Sequence, residues 1–262
     1  MSLSNIKQIL LVSSGKGGVG KSMVAVNLAY ALSRNGYATG ILDADFYGPS
    51  IPLAMGVEGE RLKVDKRDNK ECFFPIKKNG IEMNSLGFLM NREDPVIWRG
   101  PLAAGALNQL LNDTLWGELE FLVIDMPPGT GDIVISLIQQ LPQAKAVVVT
   151  TPQEMAVADA RKAANMFQSQ GMDIEIVGVV ENMSWFTPSA HPDERYTLFG
   201  EGGGKKLAEE SNVPLLVQIP LVAEVGTLAD QGKPIYLSDH KVVVDAFDCL
   251  VEKVLQNTLV QV

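Results

Sequence analysis

The residues with the most chemistry in them come early in the chain. Gly15-Lys16-Gly17-Gly18-Val19-Gly20-Lys21-Ser22 fits the pattern G-x-x-x-x-G-K-[ST]. Glycines in such a stretch let the backbone bend around a polyphosphate with its N–H groups turned inward, and a following helix adds its positive N-terminal end. Lys21 would reach the β- and γ-phosphates, and the Ser22 hydroxyl would serve as a magnesium ligand. Gly15, Gly17, Gly18, Val19, Gly20, Lys21, Ser22 and the adjoining Met23 are therefore the expected contacts of ATP and Mg2+. Lys16 has no duty within its own cradle. It is expected to cross a dimer interface to the other subunit's nucleotide, as an arginine finger does. A solvated loop lysine is the plainer alternative.

Further acids stand where strands should end. Asp125 follows the apolar run Phe121-Leu122-Val123-Ile124 and precedes Met-Pro-Pro-Gly-Thr-Gly-Asp. A carboxylate in that setting holds magnesium, directly or through water. Asp43 and Asp45 follow the apolar run Ala38–Leu42. Asp45, in the loop, is expected to orient the attacking water, and Asp43, nearer the strand, to support the loop. Asp132 is expected to cap the next helix. Asn182, after Ile174–Glu181, has a donor and an acceptor that suit an adenine edge. Pro220 is expected to flank the base. For each residue the competing reading is a cap or a solvated turn.

These side chains need elements to hold them. Ile6–Val12 reads as a strand and Lys21–Arg34 as an amphipathic helix, with the glycine-rich loop between them. Ala38–Leu42, Glu120–Asp125, Ala144–Thr150, Ile174–Glu181 and Val213–Ile219 read as further strands. Pro101–Leu115, Ile133–Leu141, Glu154–Gln170, Lys205–Ser211 and His240 to Leu259 read as helices, with a long loop at Met183–Gly204. Alternation of this kind predicts an α/β fold: a doubly wound, mostly parallel sheet with helices on both faces. Ligands of such sheets sit at the carboxyl ends of the strands, where the acids are. One domain over residues 1–262 is expected, with a peripheral insertion at about 57–97.

Composition narrows the partners. Of 262 residues, 46% are hydrophobic and 20% charged, which excludes a disordered or fibrous chain. The net charge is −9, so nucleic acid and anionic lipid are poor partners. Cys72 and Cys249 form neither a disulfide framework nor a C-x-x-C pair. With no signal-peptide pattern, a cytoplasmic protein is expected. Cys249 lies in an apolar helical stretch and reads as a buried structural thiol.

At the level of whole strings the sequence resembles a family. KGGVGKS with its extra lysine is similar to the deviant-Walker ATPases related to MinD. LDADFYGPSIP, VIWRGP, WGELEFLVIDMPPGTGD, TTPQEMAVADARKAANMF and VVENMS resemble the Mrp/ApbC group of iron–sulfur cluster carrier ATPases, from about Ile6 to about Ile235. The resemblance implies a P-loop fold, ATP binding, slow hydrolysis, a homodimer, and transfer of a cluster to apoproteins. It also implies that Lys16 is the signature lysine, Asp45 the hydrolytic acid and Asp125 the Walker-B acid. The family's C-x-x-C after ENMS is missing. The stretch Met183 to Asp193 contains His191 but no cysteine. Clusters are held mainly by thiolates, so the nucleotide chemistry carries over and the cluster chemistry does not.

A nucleotide-dependent recruiter in the MinD/ParA style, without a cluster, is the alternative. A kinase or transferase on the same scaffold would need an acceptor pocket that no motif marks. The C-terminal apolar stripe, Val243 to Leu259, carries a net acidic polar face. It is expected to pack on the sheet rather than anchor to a membrane. Trp98, Arg99 and Trp116 read as structural, the tryptophans in the core or at a subunit contact, with a partner contact as the alternative for Arg99.

Overall fold

A computed structural model of the chain describes residues 3–46, 48–67, 70–89, 100–188, 190–191 and 193–259. In chain order its elements are β1 (Ile6–Ser13), α1 (Lys21–Arg34), β2 (Thr39–Asp43), α2 (Ile51–Ala54), β3 (Lys63–Arg67), β4 (Lys70–Phe74), β5 (Ile76–Lys78) and β6 (Ile81–Ser85). There follow α3 (Gly100–Asp113), β7 (Leu119–Asp125), α4 (Asp132–Gln139), β8 (Lys145–Thr150), α5 (Glu154–Phe167), β9 (Glu175–Phe186), α6 (Gly203–Glu210), β10 (Leu215–Leu221), α7 (Ala223–Asp230) and α8 (Lys241–Leu259).

Eight strands form one sheet in the order β10-β9-β8-β1-β7-β2-β6-β5, and β3 and β4 pair separately. Every pairing in the large sheet is parallel except β5 with β6. Successive side chains of a strand point to opposite faces. Leu10, Val12, Ile41, Phe121 and Val123 accordingly join a core with α1 and α8 on one face. Ile9, Leu11, Leu42, Leu122 and Ile124 join a second core with α3, α4, α5 and α6 on the other. The strands are apolar throughout because both faces are covered, and the doubly wound fold is as expected. The stripe of α8 is covered as well: Val243, Phe247, Leu250, Val251 and Val254 are buried.

Several expectations need correcting. The segment at about 57–97 is not peripheral throughout: β6 lies inside the main sheet, parallel to β2, and is buried along its whole length. Its polar residues are satisfied internally. Asn84 Nδ2 donates to Thr114 Oγ1 at 2.6 Å, and Glu82 Oε2 accepts from the Gly117 N–H at 2.9 Å. Strand β9 continues to Phe186, so the expected loop starts later and Asn182 lies within the strand. The reason is non-local: β10 pairs alongside as far as Leu221↔Phe186, past a register shift. Asp132 is the first residue of α4 and not its cap, which is Gly131. Its carboxylate still lies where the helix dipole favours negative charge. Helices α2 and α7 were not foreseen. Trp98 and Arg99 lie outside the described residues, while Trp116 is buried.

Candidate functional site

Sheet register collects the functional ends. Val12 of β1 and Asp43 of β2 both stand opposite Asp125 of β7. Ser85 of β6 stands opposite Asp43. On the other side of β1, Ile219 of β10 stands opposite Asn182 of β9. The loop after β1 thus emerges beside Asp125 and is flanked by the ends of β2 and β9.

That loop is tied down from three sides. The Gly129 N–H donates to the Ser14 carbonyl at 2.9 Å. Ser14 Oγ donates to the Lys16 carbonyl at 2.9 Å, and Asn182 Nδ2 to the Val19 carbonyl at 2.9 Å. Gly15 lies directly on α5: a Cβ there would stand 2.0 Å from the Asp159 carbonyl carbon. Only glycine allows that approach. The Gly20 carbonyl accepts from the Val24 N–H at 3.0 Å and opens α1.

Lys21 sits in a cage of acceptors. Its Nζ is 2.6 Å from Asp125 Oδ1, 3.5 Å from Asp45 Oδ2 and 3.4 Å from Ser22 Oγ. The ammonium is 6% exposed and the Asp125 carboxylate 0%. Burial pushes the Asp125 carboxyl up, against the opposing pull of the Lys21 charge. Asp43 is pushed up to about 8, first by burial and then by the charge of Asp125. It supports the loop, as expected. Its Oδ1 accepts from the Asp45 N–H at 3.1 Å; its Oδ2 accepts from the Ile51 N–H at 3.1 Å and from Ser85 Oγ at 3.0 Å.

Of the magnesium ligands expected from the sequence, Asp125 carries an oxygen that no hydrogen bond occupies among the described residues. Asp125 Oδ2 and Asp45 Oδ1 are buried without a hydrogen-bond partner among the described residues, which suits oxygens intended for a cation or an ordered water. Among the described residues no group of three or more His, Cys, Asp or Glu forms a cage for a metal ion. Magnesium held by phosphates and one or two side chains is consistent with that.

Other expected residues divide. Lys16 is half-buried, and its ammonium has no ion-pair partner among the described residues. Ser22 and Met23 line a cleft of about 200 Å³ between α1, α2 and α7, with Leu53 and Val225 opposite. Pro220 lines a different groove of about 500 Å³, with Trp185, Arg195 and Glu224. Met23 and Pro220 thus line different cavities of the two. Asn182 is 1% exposed, and its amide nitrogen is committed to the loop.

Glu181 escaped the sequence reading. It is buried, and its Oε1 accepts from Gln218 Nε2 at 2.7 Å while its Oε2 accepts from the Gly204 N–H at the start of α6. A carboxylate at the end of an apolar strand gives no sign of whether it faces water or a helix terminus.

With the geometry established, likeness to known proteins can be placed. A family profile described as "ParA: NUBPL iron-transfer P-loop NTPase" matches residues 5–255. The chain belongs to this P-loop NTPase family. It is 48% identical over 237 residues to an iron-sulfur cluster carrier protein of Synechocystis, covering 90% of this chain and 67% of that protein. It is 50% identical over 240 residues to one from Pseudomonas fragi, covering 90% and 81%. With the Escherichia coli K12 carrier it shares 46% over 236 residues, covering 90% and 62%. This NTPase thus spans less than two thirds of some relatives' length.

Among solved structures, a nucleotide-binding protein from Archaeoglobus fulgidus in complex with ADP matches with a TM-score of 0.76 and 37% identity, over 88% of this chain and 89% of that one. The cell-division ATPase MinD of Pyrococcus furiosus matches with a TM-score of 0.63 and 21% identity, over 95% and 99%, a likeness of fold.

The two thiols of this P-loop NTPase lie on different elements. Cys72 lies in β4 and Cys249 in α8; both are free and half-buried. The latter is thus less buried than its apolar stretch implied. Four thiolates are the usual set for a cluster, and one chain holds two cysteines, on separate elements. Among the described residues, no helix is long and apolar enough to cross a membrane.

Proposed function

We propose that the protein is a magnesium-dependent ATPase whose dimer is made and released by the nucleotide cycle, and that this switch serves iron–sulfur cluster delivery to apoproteins. The observation that carries the reading is the Lys21 cage: a phosphate-loop lysine buried against Asp125 and Asp45 at the mouth of the loop. Backbone N–H groups of Gly15 to Gly20 would bind the phosphates. Lys21 would turn from Asp125 to the β- and γ-phosphates. Ser22 and Asp125 would hold magnesium, which when bound neutralises charge on the phosphates. Asp45 would orient the water that attacks the γ-phosphorus, giving ADP and phosphate. Catalysis would rest on positioning and charge neutralisation.

Lys16 would act on the partner protomer's nucleotide, which supports assigning the site to a homodimer. The identity shared with cluster carriers favours delivery over the MinD/ParA-style recruiter. The cluster is cargo in this reading, and no step is assigned to this chain's thiols. Two free thiols suit a reducing compartment such as the cytoplasm.

The test has two parts. Calorimetry should show MgATP binding that is lost in Lys21→Ala, and a phosphate-release assay should show slow hydrolysis. No heat of binding by folded wild-type protein would end the proposal. Anaerobic reconstitution with iron and sulfide, followed by absorbance, then separates direct carriage from service through a partner protein.

A further inference from the structure

We propose that the hairpin of β3 and β4 is a docking edge for an acidic, extended segment of a partner protein, which adds along β3 as a third strand. Nucleotide binding plays no part in this surface. The two strands form a sheet of their own, apart from the eight-stranded one. β4 is fastened to the body of the protein. Phe73 is buried, its carbonyl accepts from the Leu115 N–H at 2.8 Å, and it bridges to Thr114. β3 is the outer strand. Among the described residues its backbone pairs only with β4, which leaves its other edge open. Lys63 and Asp65 point to one face and Val64 and Lys66 to the other, and all four are exposed. A two-stranded ribbon of this kind is marginal in water and gains from a third strand.

Charge selects the strand that can arrive. Residues 61–78 hold seven Lys or Arg and three Asp or Glu, in a chain whose net charge is −9. Lys63, Lys66 and Lys70 have no ion-pair partner among the described residues, whereas Lys77 is held by Glu82 at 2.7 Å. Opposite charges facing each other across a strand pair attract, and like charges repel. A second copy is thereby disfavoured. Antiparallel β3 against β3, centred on Asp65, sets Lys63 opposite Arg67 and Asp65 opposite Asp65, and a parallel in-register pair sets every charge opposite itself. Lysines on an open edge serve that end in many sheets. The same lysines favour an acidic strand, and the exposed Val64 offers it an apolar contact. Nucleic acid offers no strand backbone to pair with the open edge, and the acidic remainder of the chain opposes it. Asp65 tempers the edge. Its Oδ1 accepts from the Lys66 N–H at 2.8 Å, so an acid of this chain occupies one backbone donor and sets a negative charge between the two lysines.

The probe is a peptide of about ten residues alternating Glu and Thr, longer than β3 itself. Amide shifts and hydrogen exchange of the labelled full chain locate its binding, and titration gives its affinity. An acidic peptide with Pro in place of every second Thr and a duplex oligonucleotide serve for comparison. The Glu–Thr peptide should shift the β3 amides and slow their exchange. The Pro-containing peptide should bind at least about tenfold more weakly, because proline cannot donate to a strand ladder. Lys63→Gln combined with Lys66→Gln should weaken the Glu–Thr peptide by about fivefold or more, and Asp65→Ala should tighten it by about threefold. All variants should keep the unfolding midpoint of wild type, since the three side chains are exposed. Equal affinity for the Pro-containing peptide would reduce the surface to bare charge attraction and overturn the inference. So would β3 amides that stay unmoved at millimolar peptide, or an oligonucleotide that binds the hairpin more tightly than the peptide does.

Discussion

Lys21 and Asp125 lie 104 positions apart in sequence and meet at 2.6 Å inside the protein. Neither has water to solvate it, so the pair is not there chiefly for stability. Buried ion pairs roughly break even against apolar replacements, yet removing one partner is costly. Under the proposed function each charge would wait for a different partner: phosphate for the lysine, a cation for the carboxylate. Phosphate drawn to Lys21 would leave Asp125 in need of a positive charge, which would link triphosphate and magnesium binding.

Lys21→Met should therefore destabilise the fold by about 3–5 kcal/mol at pH 7 in urea unfolding, because Asp125 is left buried and alone. Adding Asp125→Leu should restore most of the loss. Losses that simply add in the double variant would show that the two charges do not depend on each other.

Asp43 gives a pH dependence of definite sign. Its folded value of about 8 lies above the roughly 3.9 of an unfolded aspartate. Between these values the folded protein holds a proton that the unfolded chain releases. The stability from this group is fully present below about pH 4 and is lost as pH rises through about 8. Asp43→Asn, which cannot ionise, should therefore gain in urea midpoint relative to wild type between about pH 5 and 9. Parallel curves for the two proteins would refute the assignment.

The parts of the site readable in the sequence are those where local backbone chemistry forces the residue type. The loop needs its glycines, and an apolar run ending in aspartate announces a strand whose end is polar. The tie from Asn182 to Val19, 163 positions away, is one that no local pattern announces. Strand β6 falls inside the segment expected to be a peripheral insertion, because Ile-Glu-Met-Asn-Ser gives only a weak strand pattern and its polar groups are satisfied by Thr114 and Gly117 from a distance. Helix α7 is short and carries Gly226, a poor helix former, in its middle. Each miss reflects a non-local partner or a diluted local signal.

Packing of the loop on α5 separates two glycines with the same sequence signature. A Cβ at Gly15 meets the Asp159 backbone, which has no flexible end to yield, whereas a Cβ at Gly17 meets nothing within 4 Å. Gly15→Ala should cost about 1–3 kcal/mol in denaturant unfolding, the usual toll of overpacking. Gly17→Ala should stay within about 0.5 kcal/mol of wild type. Equal stabilities would mean that the loop does not rest on α5 in solution.

Lys16 offers the sharpest test of the dimer. Its ammonium has no ion-pair partner among the described residues, while Asp45 stands at Lys21 of the same chain. If Lys16 serves the opposite protomer, Lys16→Ala should keep MgATP affinity within about threefold and lose hydrolysis by about 10³-fold or more, as for a finger residue supplied in trans. Asp45→Asn should be equally inactive, for want of its own water-orienting acid. Mixing the two inactive proteins then creates heterodimers in which one site has its own Asp45 and receives an intact Lys16 from its partner. With random exchange of protomers, about a quarter of all sites become competent, by the symmetry of a two-fold dimer. Recovery near that fraction of wild-type phosphate release is expected. No recovery in a mixture shown by mass spectrometry to contain heterodimers would confine Lys16 to its own chain.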